Sequence, residues 1–235
     1  MQTEATKLSV VIPTFHEEEY IAKTLSRLVN LKHSIEIVVI DGGSQDSTVN
    51  IARQFTDKVY QIHERGISRA RNHGAKKASA KILLFLDADV YPPLNFMEKV
   101  LETFNSPSVV GATCRIMPIK STLSEFAFFH FYNFIIRLCT KFKPHSRGEF
   151  LAVRKIDFLK VNGFDENMPC LEDHDLAYRL SKRGRVTFIN DLTVYESMRR
   201  FRKLGFFKVL GTWFTDYLFF MFRGKPFSKI WQPVR

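Results

Sequence analysis

Short apolar runs alternate with segments of helical periodicity along the first half of the chain. Runs at 8–12, 35–40, 59–62 and 82–86 are rich in β-branched and aliphatic residues and predict strands. Between them, apolar residues recur at three- and four-residue spacing over 17–30, 49–55 and 67–78, which predicts helices. This βαβαβαβ order predicts an α/β fold with a mostly parallel sheet flanked by helices.

Polar segments follow three of the predicted strands. They are PTFHE at 13–17, DGGS at 41–44 and DAD at 87–89. Because ligands of such sheets bind beyond the carboxyl ends of the strands, we expect the functional site at these three segments.

The composition limits the class of protein. With 235 residues, 45% of them hydrophobic and 25% charged, the chain is neither disordered nor collagen-like nor a disulfide-stapled miniprotein. The net charge of +11 favours anionic partners such as phosphates, nucleic acid or a membrane surface. Cys114, Cys139 and Cys170 lack metal-ligand spacing, and residues 1–7 lack a signal-peptide pattern, so we expect reduced thiols in a cytoplasmic protein.

The acid pair Asp87 and Asp89 comes directly after the most apolar of these runs. Two carboxylates at a strand end offer oxygen ligands to Mg²⁺ or Mn²⁺, which such sites share with a diphosphate. The alternative is a loop acid pair that caps a helix predicted over 95–103.

Two further segments carry anion- or nucleoside-binding chemistry. Asp41 at a strand end, followed by glycines, suits a nucleoside that donates hydrogen bonds to its carboxylate, although a plain turn with a helix cap has the same pattern. Arg65, Arg69 and Arg71 surround a predicted helix start, which favours phosphate binding, with a solvated basic face as the alternative.

Taken in order, these segments resemble the inverting family 2 glycosyltransferases, which have the GT-A fold. The matching stretches are VVIPTFHEEEYI, VVIDGGSQDST, RARNHGAKKA, LLFLDADV, RGEFLAVRKIDFLKVNGFDE and LEDHDLAYRL, and they cover about 8–200. The resemblance implies transfer of a sugar from a nucleotide-sugar donor, with Mn²⁺ or Mg²⁺. We expect a catalytic domain over 1–200, with a donor half at 1–115 and an acceptor half at 116–200, and a basic aromatic extension at 201–235.

The resemblance also implies roles for individual residues. Those matched to nucleotide-sugar binding are Pro13, Phe15, Glu17, Asp41, Arg69, Asp87 and Ala88. Asp87 and Asp89 match the metal-binding pair, with Asp89 as the direct ligand, and Asp173 matches the general base. A charged helix start capped by Asp173 is the alternative for that segment, and we expect His174 on the helix surface.

The sequence departs from the family pattern near its last predicted strand. Many relatives carry a His there, but 194–200 reads VYESMRR. Either Glu196 replaces this His as the third metal ligand, or the metal has fewer protein ligands. Arg199 and Arg200 could then bind phosphate. The residues expected to contact the acceptor or a phosphate are Arg147, Glu172, Arg199 and Arg200. The Q-x-x-R-W motif of processive synthases does not occur at 231–233, so we expect single-sugar transfer.

Aromatic residues concentrate in two segments, seven at 126–142 and eleven at 201–235. In the first, His130, Asn133 and Arg137 form a narrow polar stripe at helical spacing. A run of about 14 residues is shorter than the ~20 needed to cross a bilayer, so it fits the membrane interface better. Basic residues beside the second segment favour binding to anionic lipid. The alternative is that the two segments pack on each other or form the interface of a homodimer.

These segments lead us to expect a lipid-linked acceptor and peripheral association with the cytosolic membrane face. A phosphate acceptor would need Arg147 or Arg199 as a clamp, whereas a hydroxyl acceptor would need Asp173 as a base. The rivals are a nucleotidyltransferase and a basic nucleic-acid-binding module. We expect no nucleic acid partner, because the aromatic residues come in continuous apolar runs.

Overall fold

An eight-stranded sheet lies at the centre of the computed structural model, which describes residues 6–31 and 34–229. Its strands are β1 (Leu8–Thr14), β2 (Ile35–Asp41), β3 (Val59–Gln61), β4 (Ile82–Leu86), β5 (Val90–Tyr91), β6 (Val109–Pro118), β7 (Phe150–Arg154) and β8 (Arg185–Glu196). Their spatial order is β3-β2-β1-β4-β7-β6-β8-β5. Both expected halves of the catalytic domain therefore contribute strands to one sheet.

The predicted parallel arrangement is confirmed for the first four strands. β1 pairs in parallel with β2 and β4, and β2 pairs in parallel with β3. β7 runs antiparallel to both β4 and β6, while β6 and β8 are parallel and β5 is antiparallel to β8. The second half of the sheet is therefore mixed, which an apolar run alone does not reveal because either direction buries it equally well.

Helices cover both faces of the sheet. They are α1 (Ile21–Val29), α2 (Thr48–Arg53), α3 (Ile67–Lys77), α4 (Phe96–Phe104), α5 (Leu123–Cys139), α6 (Lys155–Lys160), α7 (Glu172–Ser181), α8 (Arg199–Leu204) and α9 (Phe206–Arg223). α1 begins four residues later than predicted, because Glu17–Tyr20 form a turn in which the Glu17 carbonyl accepts hydrogen bonds from the amides of Tyr20 and Ile21. This turn holds Glu17 at the end of β1.

The core has two layers, one on each face of the sheet. Val10 and Ile12 of β1 belong to the layer that includes Leu25 of α1, and Val11 between them belongs to the layer that includes Ala70 of α3. Successive strand residues point to opposite faces, so a strand covered on both sides is apolar throughout. This explains the uninterrupted apolar runs of the sequence.

Close packing of α3 on the sheet requires a glycine at position 74. A Cβ atom there would lie 2.3 Å from Val11 Cγ1 and 3.1 Å from Ile40 Cγ1. We expect Gly74→Ala to lower the free energy of unfolding by about 1–3 kcal/mol, measured by urea denaturation. Gly211→Ala in α9 is the matched control, because its Cβ would meet no described atom within 4 Å. The control should be neutral or up to ~1 kcal/mol more stable; similar losses in both variants would contradict the packing argument.

α5 packs against β6 and the C-terminal helices and exposes aromatic side chains to solvent. A capping box between Thr122 and Glu125 begins the helix, and Glu125 also pairs with Arg202 of α8. Phe129 packs on Phe201, whereas Phe131 is 63% exposed.

The predicted polar stripe on α5 is wrong at Asn133, which is buried. Asn133 Oδ1 accepts a hydrogen bond from the Ile116 backbone amide at 3.0 Å, and the Asn133 side-chain NH₂ donates to the Ile116 carbonyl at 2.8 Å. Ile116 lies next to a register shift in the pairing of β6 with β8. Asn133 is buried because it satisfies backbone groups that this irregularity leaves open.

α9 is also more exposed than a core helix. Phe207, Phe214 and Phe222 are all largely exposed, while Asp216 is buried and accepts from the Ser228 amide at 2.7 Å. Over 6–31 and 34–229, the chain contains no helix that combines the length and apolarity needed to span a bilayer. Residues 1–5, part of the segment that lacks a signal-peptide pattern, and residues 231–233, where the Q-x-x-R-W motif does not occur, lie outside the described residues.

Candidate active site

Two adjoining cavities open at the carboxyl ends of β1 and β4. The first, here called the strand-end cavity, has a volume of about 610 Å³, and its lining includes Pro13, Phe15, Glu17, Ala88, Asp89, Arg199 and Arg200. The second, here called the aromatic cavity, has a volume of about 480 Å³, and its lining includes Asp173, Arg147, Tyr132, Trp213, Phe214 and Tyr217. The residues that line both cavities are Ile67, Asp87, Glu149, Pro169 and Trp213. The two spaces therefore meet beside Asp87, one member of the predicted metal-binding pair.

Most residues predicted to bind the nucleotide sugar line the strand-end cavity. Pro13, Phe15 and Glu17 come from β1 and the turn after it, and Asp87 and Ala88 come from the end of β4. Arg65, which precedes α3, places its guanidinium 4.5 Å from the centre of the Phe15 ring. The adjacent parallel pairing of β1 and β4 brings these side chains together.

Asp41 and Arg69 are placed differently from the other predicted donor residues. Asp41 is fully buried, and its carboxylate accepts from the Thr14 hydroxyl at 3.1 Å and the Ser44 amide at 2.8 Å. Arg69 pairs with Glu64 and Glu166 at the surface. Neither is among the described residues that line the strand-end cavity, so their roles in donor binding stay predictions.

Arg71, one of the three arginines for which the sequence favoured phosphate binding, joins the two acidic motifs. It is 1% exposed and donates to Asp87 Oδ1 at 2.8 Å, to the Gly148 carbonyl at 2.9 Å and to Glu172 Oε1 at 2.7 Å. A Cβ atom on Gly148 would lie 2.7 Å from Arg71 Nη2, so the glycine makes room for this contact. Arg71 therefore connects the end of β4 to the start of α7.

Glu172 acts as a partner of Arg71 within this connection. Burial, and then the neighbouring charge of Asp173, raise the pKa of Glu172 to about 7 against the opposing effect of Arg71. Glu172 forms an ion pair with Arg71 and also lines the aromatic cavity, and its contact with acceptor or phosphate stays a prediction.

Arg199 supplies the positive charge next to Asp89. Its Nε lies 2.9 Å from Asp89 Oδ2, and its two terminal nitrogens donate to the two carboxylate oxygens of Glu17 at 2.5 and 2.9 Å. Burial raises the pKa of Asp89 to about 7, although Arg199 opposes the shift. Since a buried carboxylate needs a cation or a proton, Asp89 has the chemistry of a cation ligand.

The oxygen ligands at this edge fit a divalent cation that shares substrate phosphates. Asp87 and Asp89 do not cap α4, whose N-cap residue Asn95 has no side-chain capping bond. Within the described residues, no group of three His, Cys, Asp or Glu side chains could hold a metal ion. A Mg²⁺ or Mn²⁺ ion bound here would therefore take its other ligands from phosphate and water, as these ions commonly do.

Arg147 forms a second buried charge cluster with Glu149 and Glu196. Arg147 is 2% exposed, and its Nη2 lies 3.0 Å from Glu149 Oε1 and 3.2 Å from both oxygens of Glu196. Burial raises the pKa of Glu196 to about 8 despite Arg147. Arg147 Nη1 is buried without a hydrogen-bond partner among the described residues.

Asp173 lies at the inner end of the aromatic cavity, at the start of α7. Its Oδ1 accepts from the His174 amide at 2.9 Å. Burial, and then the charge of Glu149, raise its pKa to about 6, while Arg71 opposes this shift. A carboxylate with a pKa in this range can accept a proton near neutral pH.

His174 is buried, so the prediction that it lies on the helix surface is wrong. Its ring stacks on His145 at 4.9 Å between ring centroids, and both rings contact Tyr217 of α9. Burial lowers the pKa of both histidines to about 4, so both are neutral at pH 7. α9 contacts this helix start through Tyr217, and local sequence periodicity does not predict a contact between elements so far apart.

A family model supplies the decisive comparison. The model described as Glycosyl transferase family 2 matches residues 9–162. The chain belongs to glycosyl transferase family 2. The match includes both strand-end segments and the acid pair, and it stops before Asp173.

This glycosyltransferase is similar to several known proteins. It is 35% identical over 111 residues to Glycosyltransferase AglE of Haloferax volcanii, and this alignment covers 43% of this chain and 36% of the relative. It is 32% identical over 116 residues to a dolichol-phosphate mannosyltransferase of Pyrococcus furiosus, covering 46% of this chain and 33% of the relative. The chain thus spans about a third of these curated relatives.

The fold is shared with a solved mannosyltransferase from Pyrobaculum calidifontis, PcManGT, in complex with GDP-Man and Mn²⁺. The TM-score is 0.67 at 20% sequence identity, covering 81% of this chain and 56% of the mannosyltransferase. The likeness confirms the predicted α/β fold of GT-A type.

His145 and Glu149 were not predicted from the sequence to belong to this glycosyltransferase site. Arg65 and Arg71 were predicted to favour phosphate, but the contact of Arg65 with Phe15 and the ion pairs of Arg71 were not predicted. Arg71 precedes Gly74 and Ala75 by three and four residues, which places it on the small-residue face of α3 that packs on the sheet. That spacing was the available signal, whereas the contacts of Glu149 and His145 depend on distant elements.

Proposed function

We propose that this glycosyltransferase transfers one sugar from a nucleotide-diphosphate sugar to an acceptor hydroxyl, with inversion at the anomeric carbon. One observation carries the proposal: the strand-end cavity and the aromatic cavity meet at a wall that includes Asp87 and Glu149, and Asp173 lines the aromatic cavity only. Such a junction lets a donor and an acceptor approach each other from opposite sides, which a single in-line displacement requires.

The strand-end cavity would hold the donor. Phe15 with Arg65 and Pro13 offer a surface for the nucleoside, and Arg199 and Arg200 line the part near Asp89 where a diphosphate would lie. Asp89 and Asp87 would hold Mn²⁺ or Mg²⁺, which when bound neutralises charge on the leaving diphosphate. The complex of PcManGT with GDP-Man and Mn²⁺ supports this assignment.

Asp173 would act as the general base on the acceptor side. The acceptor oxygen forms a bond to the anomeric carbon as the bond to the diphosphate oxygen breaks, and the hydroxyl proton passes to Asp173. Attack opposite to the leaving group inverts that carbon. The raised pKa of Asp173, about 6, supports this role because the carboxylate is ionised at pH 7 and still basic.

The exposed aromatic faces of α5 and α9 support a lipid-linked acceptor at the cytosolic membrane face. Phe131, Phe207 and Phe222 are exposed large apolar residues, and basic residues at 202–203, 208, 223 and 225 lie on α8 and α9 or just beyond them. Aromatic side chains next to Lys and Arg favour an anionic membrane interface. The dolichol-phosphate mannosyltransferase relative also favours a lipid acceptor.

Donor binding tests the proposed function. In a thermal-shift panel of UDP-, GDP- and dTDP-sugars with and without Mn²⁺, we expect one donor to stabilise the protein in a Mn²⁺-dependent manner, by ~2.7 kcal/mol at 100 times its Kd. Asp89→Asn should lose the Mn²⁺-dependent part of the shift. Asp191→Asn, which removes an exposed acid that pairs with Lys99, should keep it. No shift with any donor, or a full shift in Asp89→Asn, would argue against the proposal.

A further inference from the structure

The aromatic cavity runs between α5 and α9 from the protein surface to the candidate base. Its walls include Phe128, Tyr132 and Ile135 of α5 and Leu210, Trp213 and Tyr217 of α9. Phe131 and Phe214 also line it and are 63% and 65% exposed, so they mark its mouth. A space of about 480 Å³ with such walls has the size and polarity of a pocket for an apolar ligand.

The inner end of the cavity is polar. Asp173 and Arg147 lie there, and Arg147 is 2% exposed while its Nη1 has no hydrogen-bond partner among the described residues. A buried N–H group without a partner is unfavourable, so this nitrogen is suited to donate to an oxygen of a ligand. The cavity therefore matches a molecule with an apolar chain and an oxygen-bearing head.

The charges around this inner end favour a neutral head. Arg147 already pairs with Glu149 and Glu196, and Arg71 already pairs with Asp87 and Glu172. The carboxyl groups at the junction outnumber the guanidinium groups. A phosphate head would meet Asp173 and Glu149, and the charge of Arg147 is already offset by Glu149 and Glu196, although its Nη1 can still donate one hydrogen bond. Repulsion from the carboxylates therefore disfavours a phosphate more than a neutral head.

We propose that the aromatic cavity binds the apolar chain of a neutral lipid acceptor whose sugar or glycerol hydroxyl reaches Asp173, with Arg147 donating to its head. This inference rests on the proposed function in placing the acceptor beside Asp173. It selects a hydroxyl over a phosphate as the nucleophile and assigns the lipid chain a subsite within the protein. Exposed aromatic residues around the mouth would let the chain enter from a membrane.

Quenching of Trp213 tests the subsite directly. The probes are dodecyl glucoside, dodecyl glycerol ether and dodecyl phosphate, each brominated at the chain end and used below its micelle concentration. A Trp231→Phe background leaves Trp213 as the fluorophore. Trp213 lines both cavities, so the cavity-filling variants described below are needed to assign the quenching to the aromatic cavity. We expect saturable quenching by one or both neutral probes, and at least tenfold weaker binding of dodecyl phosphate. The stronger neutral probe distinguishes a sugar head from a glycerol head.

Paired variants separate the cavity from the outer helix surface. Ile135→Phe with Leu210→Phe fills the cavity from both walls and should weaken the neutral probe at least tenfold. Leu218→Phe, on the exposed part of α9 and outside the lining, is the control and should leave binding unchanged. A nucleotide-sugar thermal shift retained by the filled variant shows that it is folded.

The possible failures are distinguishable. Mn²⁺-dependent donor binding with no saturable quenching of Trp213 overturns the lipid subsite and leaves the proposed function standing. Dodecyl phosphate binding as tightly as the neutral probes overturns the neutral head. Saturable neutral-probe binding without any donor binding would instead contradict the proposed function.

Discussion

Asp173→Asn is expected to lower kcat by about 10²–10⁴-fold while donor affinity stays unchanged. The amide keeps the shape of the side chain and its position at the start of α7, but it cannot accept the proton of an acceptor hydroxyl. Asp173 lines the aromatic cavity and is absent from the lining of the strand-end cavity, which is why donor affinity should not change. Single-turnover product formation and calorimetric donor binding measure the two quantities.

The control for this variant lies on the same helix. Asp175 pairs with Arg179 at 2.6 Å and lines neither cavity, so Asp175→Asn should keep kcat within a few-fold of the parent. The parent rate should also fall as pH drops through about 6, since burial raises the pKa of Asp173 to that value and the base must be ionised. An Asp173→Asn enzyme with near-parent kcat would remove Asp173 as the base.

The sequence predicted the part of the site that depends on neighbouring strands. β1 and β4 are adjacent and parallel, so the residues after them had to meet at one edge of the sheet. Pro13, Phe15, Asp87 and Asp89 are together for this reason. The acid pair stood out because its carboxylates end a strand that is apolar throughout.

The sequence did not predict pairings between residues far apart along the chain. Arg199 reaches Glu17 across 182 residues, and Arg71 reaches Glu172 across 101 residues. Local periodicity places each side chain on a helix face, but it carries no information about which distant carboxylate meets it. The burial of His174 and Asn133 was missed for the same reason, since α9 and an irregular β6 provide their partners.

These distant pairings have one consequence for the site. Asp89, Asp87 and Glu196 are each matched to a different buried arginine, respectively Arg199, Arg71 and Arg147. Each ion pair lowers the free energy of a carboxylate that burial would otherwise protonate. The ion pairs therefore oppose protonation of the acidic edge, while burial still raises the pKa of Asp89 to about 7 and that of Glu196 to about 8. Each of the three arginines pairs with two carboxylates, and Arg71, at 1% exposed, is the most deeply buried of them.

Arg71→Met is expected to lower the free energy of unfolding by about 3–5 kcal/mol, because it leaves the buried Glu172 and the partly buried Asp87 without their shared partner. Methionine fills much of the same space, so lost packing contributes little. Urea denaturation at pH 7 measures the change. Arg69→Met is the matched control two residues away; its pairs with Glu64 and Glu166 are exposed, and the expected change is about 0–1 kcal/mol.

The pH dependence separates a lost ion pair from a merely disrupted helix. Without Arg71, the pKa of both carboxyl groups in the folded state rises further, while the unfolded state keeps ordinary values. The folded variant then binds more protons than the unfolded chain, so its stability falls as pH rises. The pKa of Glu172 in the parent is already about 7, so the difference between parent and variant should be small near pH 5 and grow as pH rises through 7 toward pH 9. A deficit that is the same at both pH values would mean that α3 packing, rather than the charges of Asp87 and Glu172, accounts for the loss.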